Sequence, residues 1–431
     1  MHPLLSVPYA AAAVLAAGLA RLPIGGEWKA WRAVRARHGV LARIEAWGAA
    51  HRDVKRPLLW VHAPSVGEGL QARPVVERIR ARHPGWQVAY TFYSPSAERF
   101  AASIGADLTD YLPFDTTAAA QRLLDAIRPS ALVFAKLDLW PRLAETAAAR
   151  GVPLGMISAT MSSGSRRGGV IARALLGDAY AALDAVGAID PDDGARLTSL
   201  GVRADRVRVT GDTRYDQVAA RAAATDRTSA LLTPLLASPH GARPTLVAGS
   251  TWPSDESVLL PAWIALRAEA PDARLVIAPH EPTAGHLAPI ESWARAAGLS
   301  VARLDEATSG TDVVLVDRVG VLGELYALAT AAYVGGGFHS AGLHSVLEPA
   351  AFGAPVLFGP RHANSRDAGL LIAARGGEAV EDVATLTRAL RIVFTEADTR
   401  AHAGGAALSV VRGGLGAAER SAALVESLMK E

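Results

Sequence analysis

From residue 57 onward the chain alternates short apolar runs with longer amphipathic ones, and this alternation restricts it to few folds. Runs rich in Val, Leu and aromatics at 58–62, 87–93, 131–134, 152–157, 185–188 and 207–210 read as strands. Stretches at 69–82, 97–103, 118–127 and 143–150 read as helices between them. Strand–helix alternation of this kind predicts an α/β fold: a parallel sheet covered by helices on both faces. A segment rich in Ala, Thr, Ser, Pro and Gly follows at 219–244, and its latter part reads as a linker. The alternation then restarts, with strands at 245–248, 274–278, 313–316, 332–334 and 354–358 and helices at 254–270, 283–297 and 323–329. The 431 residues exceed one ordinary core. The expected organisation is an N-terminal segment 1–25, a Rossmann-like domain 26–225 and a second one 226–431. Two such domains place a ligand cleft at the carboxyl ends of their strands.

Half of the residues are apolar and a fifth charged, which excludes a disordered chain, and a net charge of +2 gives no case for nucleic acid. Local charge matters more: Lys29, Arg32, Arg35, Arg37, His38 and Arg43 crowd one stretch. With no cysteine, disulfides, thiolate metal sites and Cys nucleophiles are excluded. Residues 4–20 carry no charge and are rich in Ala, Leu and Val. At roughly 17 residues the run sits at the lower edge of a membrane span. It reads as a short anchor, a helix lying on the membrane, or a buried first helix. The basic residues after it would face the cytoplasm in the first case and attract anionic lipid in the second.

Four constellations could carry chemistry. His62-Ala63-Pro64-Ser65-Val66-Gly67-Glu68 follows the first strand. Ser65 can cap the next helix, and Glu68 is either a general base or a helix-start carboxylate complementing the dipole. Asp138, in Leu137-Asp138-Leu139-Trp140-Pro141, is a second acid at a strand end. It can line the same cleft as Glu68, or cap the helix starting near Pro141. Gly249-Ser250-Thr251 precedes a helix and offers amides and hydroxyls to a phosphate. His280 and His286 stand six apart without an HExxH pattern, which does not indicate a metal. Gly335-Gly336-Gly337 with His344-Ser345-Val346-Leu347-Glu348 joins a glycine run, a helix expected from about Ser345, and an acid in its first turn. Such a loop lets a nucleotide approach the backbone closely, and Glu348 can accept from sugar hydroxyls.

Taken in order, W-V-H-A-P-S-V-G-E (60–68), Y-L-P-F-D (111–115), L-D-L-W-P (137–141), V-T-G-D-T-R-Y-D (209–216), G-S-T (249–251), V-G-G-G-F (334–338), H-S-V-L-E-P-A-A-F-G-A-P-V-L-F-G-P (344–360) and Asn364 make the chain resemble bacterial 3-deoxy-D-manno-octulosonic acid (Kdo) transferases over about 58–380. The resemblance implies a GT-B fold and an inverting transfer of Kdo from CMP-Kdo to a lipid A precursor (lipid IVA), without a cofactor. It also implies a location on the cytoplasmic face of the inner membrane. It implies Glu68 as base, Asp138 as a second functional acid, and Ser250, Thr251, His280, Gly335, Gly336, Gly337, His344, Ser345, Glu348 and Asn364 as donor contacts. The chain departs from the family at Lys136, where an acid is usual, at Asp138 for Glu, and at Ser345, where the family has an amide. Its Pro279-His280-Glu281-Pro282 lacks a basic residue, and the family's basic, tryptophan-containing patch is only loosely matched at 27–32. Another GT-B enzyme using a UDP-sugar, an epimerase, or a non-catalytic sugar-nucleotide binder are the alternatives.

Overall fold

The structure, a computed structural model, describes residues 1–19, 29–162, 164–236 and 243–429. It divides into two units: 1–217 with 415–431, and 218–414. Residues 415–431, which the sequence reading places in the second domain, therefore belong with the first.

The first unit holds strands β1 (Leu58–His62), β2 (Gln87–Phe92), β3 (Leu108–Tyr111), β4 (Ala131–Ala135), β5 (Leu154–Ala159), β6 (Ala185–Ala188) and β7 (Val207–Val209). They form one parallel sheet in the order β3-β2-β1-β4-β5-β6-β7. The second unit holds β8 (Thr245–Thr251), β9 (Arg274–Pro279), β10 (Val301–Arg303), β11 (Val313–Leu315), β12 (Ala331–Val334), β13 (Val356–Phe358) and β14 (Gly377–Ala379). Its order is β10-β11-β9-β8-β12-β13-β14, again all parallel. These are the two Rossmann-like sheets that the alternation requires.

Helices cover both faces of each sheet, so the central strands are buried along their whole length and read as continuous apolar runs. Within them the twofold pleat still sorts side chains. Leu246, Ala248, Leu275 and Ile277 join one core layer of the second unit, while Val247, Val276 and Ala278 join the other. The strand order reverses between β1 and β4 in the first sheet and between β8 and β12 in the second, where in addition β11 returns to lie between β10 and β9. Outside the carboxyl ends of such a pair the flanking loops diverge and leave a crevice.

Among the described residues no helix is long and apolar enough to cross a membrane. The apolar N-terminal run forms the helix Pro3–Leu19, which lies against the first unit. There the Tyr9 hydroxyl donates to Asp115 at 2.7 Å and Arg142 donates to the Ser6 carbonyl at 3.0 Å. Residues 20–28, including Glu27 and Trp28 of the basic patch, lie outside the described residues, as do 237–242 of the expected linker. The basic cluster after this gap is not one solvated surface. Arg32, Arg35 and His38 are exposed, but Arg37 is buried and donates to the Leu112 and Tyr93 carbonyls at 3.0 and 2.9 Å. Arg43 forks onto Asp110.

Candidate functional site

In the first unit the loops after β1 and β4 flank the point where strand order reverses. Ser65 caps the helix Val66–Arg82 by accepting from the Gly67 amide, and Glu68 stands in its first turn. The Ser65 hydroxyl also donates to Glu68 Oε2, and Lys136 Nζ lies 3.3 Å from Oε1. Burial alone would push the Glu68 carboxyl up, but the hydroxyl and the ammonium outweigh it and hold the group below the usual glutamate range. Lys136 itself adopts φ 63, a left-handed conformation that few non-glycine residues accept.

Asp138 does not cap the helix Pro141–Ala149. That work falls to Asp115 of the Y-L-P-F-D motif, which accepts from the Arg142 and Leu143 amides at 2.9 and 2.8 Å. Asp138 Oδ2 instead lies 3.1 Å from His62 Nε2 and accepts from Trp140 Nε1 at 3.0 Å. On its other side His62 Nδ1 meets the Thr91 hydroxyl at 3.0 Å, and that oxygen accepts from Trp60 Nε1 at 2.9 Å. The Trp140 indole also lies 3.2 Å from His62 Nε2, so His62, Asp138 and Trp140 form one cluster. Burial pushes Asp138 up, yet His62, Trp140 and Arg167 together hold it low. Trp140 stacks on Tyr93, and the Arg37 guanidinium lies 3.5 Å over the Tyr93 ring. The unit thus presents two ionised carboxylates at adjacent strand ends, each fixed through one oxygen or more by named donors.

In the second unit the reversal point lies between Gly249-Ser250-Thr251, ending β8, and the glycine loop after β12. A register shift between Gly249 and Thr251 puts Ser250 at φ 55. The glycines are required by backbone contacts. A Cβ at Gly335 would sit 2.2 Å from the Ser250 carbonyl oxygen, and one at Gly337 would sit 2.5 Å from the Gly359 nitrogen. Gly336 has φ 93, which favours glycine as well.

One buried acid that the sequence reading passed over organises this loop. Asp255, in the first turn of Pro253–Arg267, accepts from the Gly336 and Trp252 amides through Oδ2, at 2.8 and 2.9 Å. Its Oδ1 accepts from the Phe338 amide and the Tyr333 hydroxyl at 3.1 and 3.2 Å. Beside the loop Trp252 stacks on His339 with centroids 4.0 Å apart and on His280 at 4.6 Å, and its indole donates to His344 Nε2 at 3.3 Å. Burial, then the neighbouring His280, pushes His344 below the usual histidine range. His286 lies instead 3.2 Å from Glu256, which accepts the Thr251 hydroxyl at 2.8 Å, so the two expected histidines serve different neighbours.

The remaining expected contacts are distributed unequally. The helix expected from Ser345 starts at Leu347 and has five residues, with Glu348 in its first turn. Burial pushes the Glu348 carboxyl up against the pull of Arg221. Ser345 is exposed and makes no side-chain hydrogen bond among the described residues. Asn364 uses both ends of its amide on Leu343, accepting from its N–H and donating to its carbonyl at 3.2 Å each. It acts on the loop as a strut. Among the described residues no group of three or more His, Asp or Glu side chains is placed to hold a metal ion.

Comparison with known proteins adds the following. A family model described as 3-deoxy-D-manno-octulosonic-acid transferase (kdotransferase) matches residues 32–217. The 3-deoxy-D-manno-octulosonic acid transferase of Bordetella pertussis is 32% identical over 361 residues, spanning 80% of this chain and 79% of the relative. The protein of the same name from Haemophilus influenzae is 27% identical over 368 residues, 84% of this chain and 85% of the relative. Among solved structures, a UDP-GlcNAc 2-epimerase from Neisseria meningitidis bound to UDP-GlcNAc superposes with a TM-score of 0.63 over 87% of this chain and 100% of the other. At 14% identity that likeness concerns the fold alone.

Proposed function

We propose, from the premise that the chain belongs to the 3-deoxy-D-manno-octulosonic acid (Kdo) transferase family and is a glycosyltransferase, that it moves Kdo from CMP-Kdo to a lipid A precursor with inversion. The observation that carries this reading is Glu68: an ionised carboxylate in the first turn of a helix, at the reversal point of the first sheet, with Asp138 at the neighbouring strand end. An acceptor hydroxyl attacks the anomeric carbon of Kdo as the bond to the CMP phosphate breaks, and the phosphate leaves with the bonding pair. Attack opposite the leaving group inverts the centre, and Glu68 takes the hydroxyl proton. Asp138, turned by His62 and Trp140, orients the acceptor. Ser250, His280, His344, Glu348 and the Gly337 amide hold the nucleotide, and the donors among them stabilise the charge that grows on CMP. The Gly335 and Gly336 amides and the Thr251 hydroxyl are spent on Gly249, Asp255 and Glu256 and shape the loop instead.

The acceptor is a lipid, and the first unit carries a surface suited to reach it. Leu4 and Val7 of the N-terminal helix and Val170 and Ile171 of the helix Val170–Ala181 are exposed. We read this face as lying on the cytoplasmic side of the inner membrane.

Purified protein incubated with CMP-Kdo and a tetraacylated lipid A precursor should form a Kdo-bearing product whose NMR spectrum shows the inverted anomer. Glu68→Gln should lose turnover by roughly 10²-fold or more while still binding CMP-Kdo. Transfer from a UDP-sugar in place of CMP-Kdo would overturn the donor, and undiminished turnover by Glu68→Gln would overturn the base.

A further inference from the structure

Lys136 is an unusual residue to find where it is. It follows β4 directly, and its amide donates to the Ile157 carbonyl at 2.8 Å, which ties it to the end of β5. That anchoring holds it at φ 63, a left-handed conformation that few non-glycine residues adopt. The result is an ammonium 3.3 Å from Glu68 Oε1, on a side chain that remains 43% exposed. The Ser65 hydroxyl takes the other oxygen. The remaining titratable group described as facing Glu68 is the Tyr90 hydroxyl of β2, with Arg73 one turn further along the same helix acting on that phenol. Lys136 is therefore the cation in direct contact with Glu68 within this unit, and it comes from a different strand end.

We propose that Lys136 is a positioning residue for the transfer reaction: it holds Glu68 ionised and aimed, and thereby sets the acid side of the pH–rate profile. This rests on Glu68 being the base. Each carboxylate oxygen has a second lone pair, so a contact through one of them leaves the other open to the acceptor hydroxyl. The sign follows from the charge. An adjacent cation favours the ionised form, so removing it makes Glu68 easier to protonate and turnover is lost at a higher pH. Because Lys136 is nearly half-exposed, solvent screens the effect and keeps it modest.

The test is the pH dependence of Kdo transfer by the full chain, comparing wild type with Lys136→Asn, Lys136→Gln, Lys136→Arg and Glu68→Gln. Asparagine accepts positive φ, so Lys136→Asn removes the charge without penalising the backbone. The acid limb of the Asn and Gln variants should move up by roughly 0.5–1 pH unit, with little change on the alkaline plateau, while the Arg variant keeps the wild-type limb. Profiles that coincide with wild type, in a protein that Glu68→Gln inactivates, overturn the role of Lys136 and leave the base intact. An active Glu68→Gln overturns the base itself. The carboxyl 13C titration of Glu68 in Lys136→Gln gives a second readout independent of turnover, and an unchanged midpoint there also sinks the proposal.

Discussion

Asp255 shows how one side chain can fix a loop 80 residues away in sequence. Its two oxygens accept four hydrogen bonds, three from backbone amides and one from a phenol, inside a dry environment. Asparagine has the same shape, but whichever way its amide is turned an NH2 faces at least one backbone N–H. A buried donor left without a partner costs about 1–3 kcal/mol. Asp255→Asn should therefore lower the melting temperature and weaken CMP-Kdo binding by about tenfold or more, measured by calorimetry on the intact chain. Unchanged affinity would mean that the loop keeps its shape without this acid. The glycines at 335–337 were legible as a loop needing close approach, since no other residue type tolerates it. The acid beneath them was not: at the first turn of a helix it looks like any carboxylate complementing a dipole. Arg37 was misleading for the opposite reason. It stands in a basic run that reads as solvated surface, and its carbonyl partners at 93 and 112 lie too far along the chain for spacing to reveal. Glu68 and Asp138 were visible because strand ends mark them, although spacing alone left open the capping role that Asp115 turned out to play.

At the scale of elements, the strands at the middle of each sheet were legible and three at the margins were not. β3, β10 and β14 have three or four residues, are half-exposed in part, and sit at sheet edges. A strand buried on one side only lacks the continuous apolar run that betrays a central one. The N-terminal helix poses the converse problem, an apolar run whose partner the sequence does not state. Its start is fixed to the first unit, with the His2 amide donating to the Ala174 carbonyl at 2.8 Å, so Leu4 and Val7 lie on an element joined to the one that carries Val170 and Ile171. Val170 is 85% exposed and Ile171 75%, an unusual arrangement for adjacent large apolar residues. If this face rests on lipid, Val170→Asp with Ile171→Asp should weaken co-sedimentation with anionic phospholipid vesicles by about tenfold, since each lost burial is worth about 1 kcal/mol or more. Melting of the variant should stay within a degree or two of wild type, because neither side chain packs in the core. Vesicle binding indifferent to both substitutions would place the membrane contact elsewhere.

The whole chain is organised by a crossing that apolar periodicity does not encode. It leaves the first unit after residue 217 and returns at 415, so the last helix, Ala417–Leu428, completes a core begun more than 300 residues earlier. The V-T-G-D-T-R-Y-D motif explains how that return is held. Asp216 accepts from the Gly416 and Ala418 amides at 2.9 Å each and so caps the incoming helix, while Arg420 donates to the Thr210 carbonyl at 2.9 Å. The helix buries Leu424, Val425 and Leu428, and Leu428 lies over Gly155 of β5, where a Cβ would meet it at 2.6 Å. A glycine in the middle of a central strand is thus the imprint of a side chain from the far end of the chain. The motif could be read from the sequence and its partner could not, because a cap gives no indication of which helix it serves. Burial of these three side chains is worth about 5 kcal/mol on transfer values, before any allowance for a compact unfolded state. Truncation after Gly414 should accordingly raise amide hydrogen exchange in β4, β5 and β6 by orders of magnitude, and Asp216→Ala should do the same to a lesser extent. Exchange in β8, β9 and β12 should be unaffected by either change, since the second sheet has its own two core layers. Equal loss of protection in both sheets would show that the return helix supports more than the unit to which it is capped.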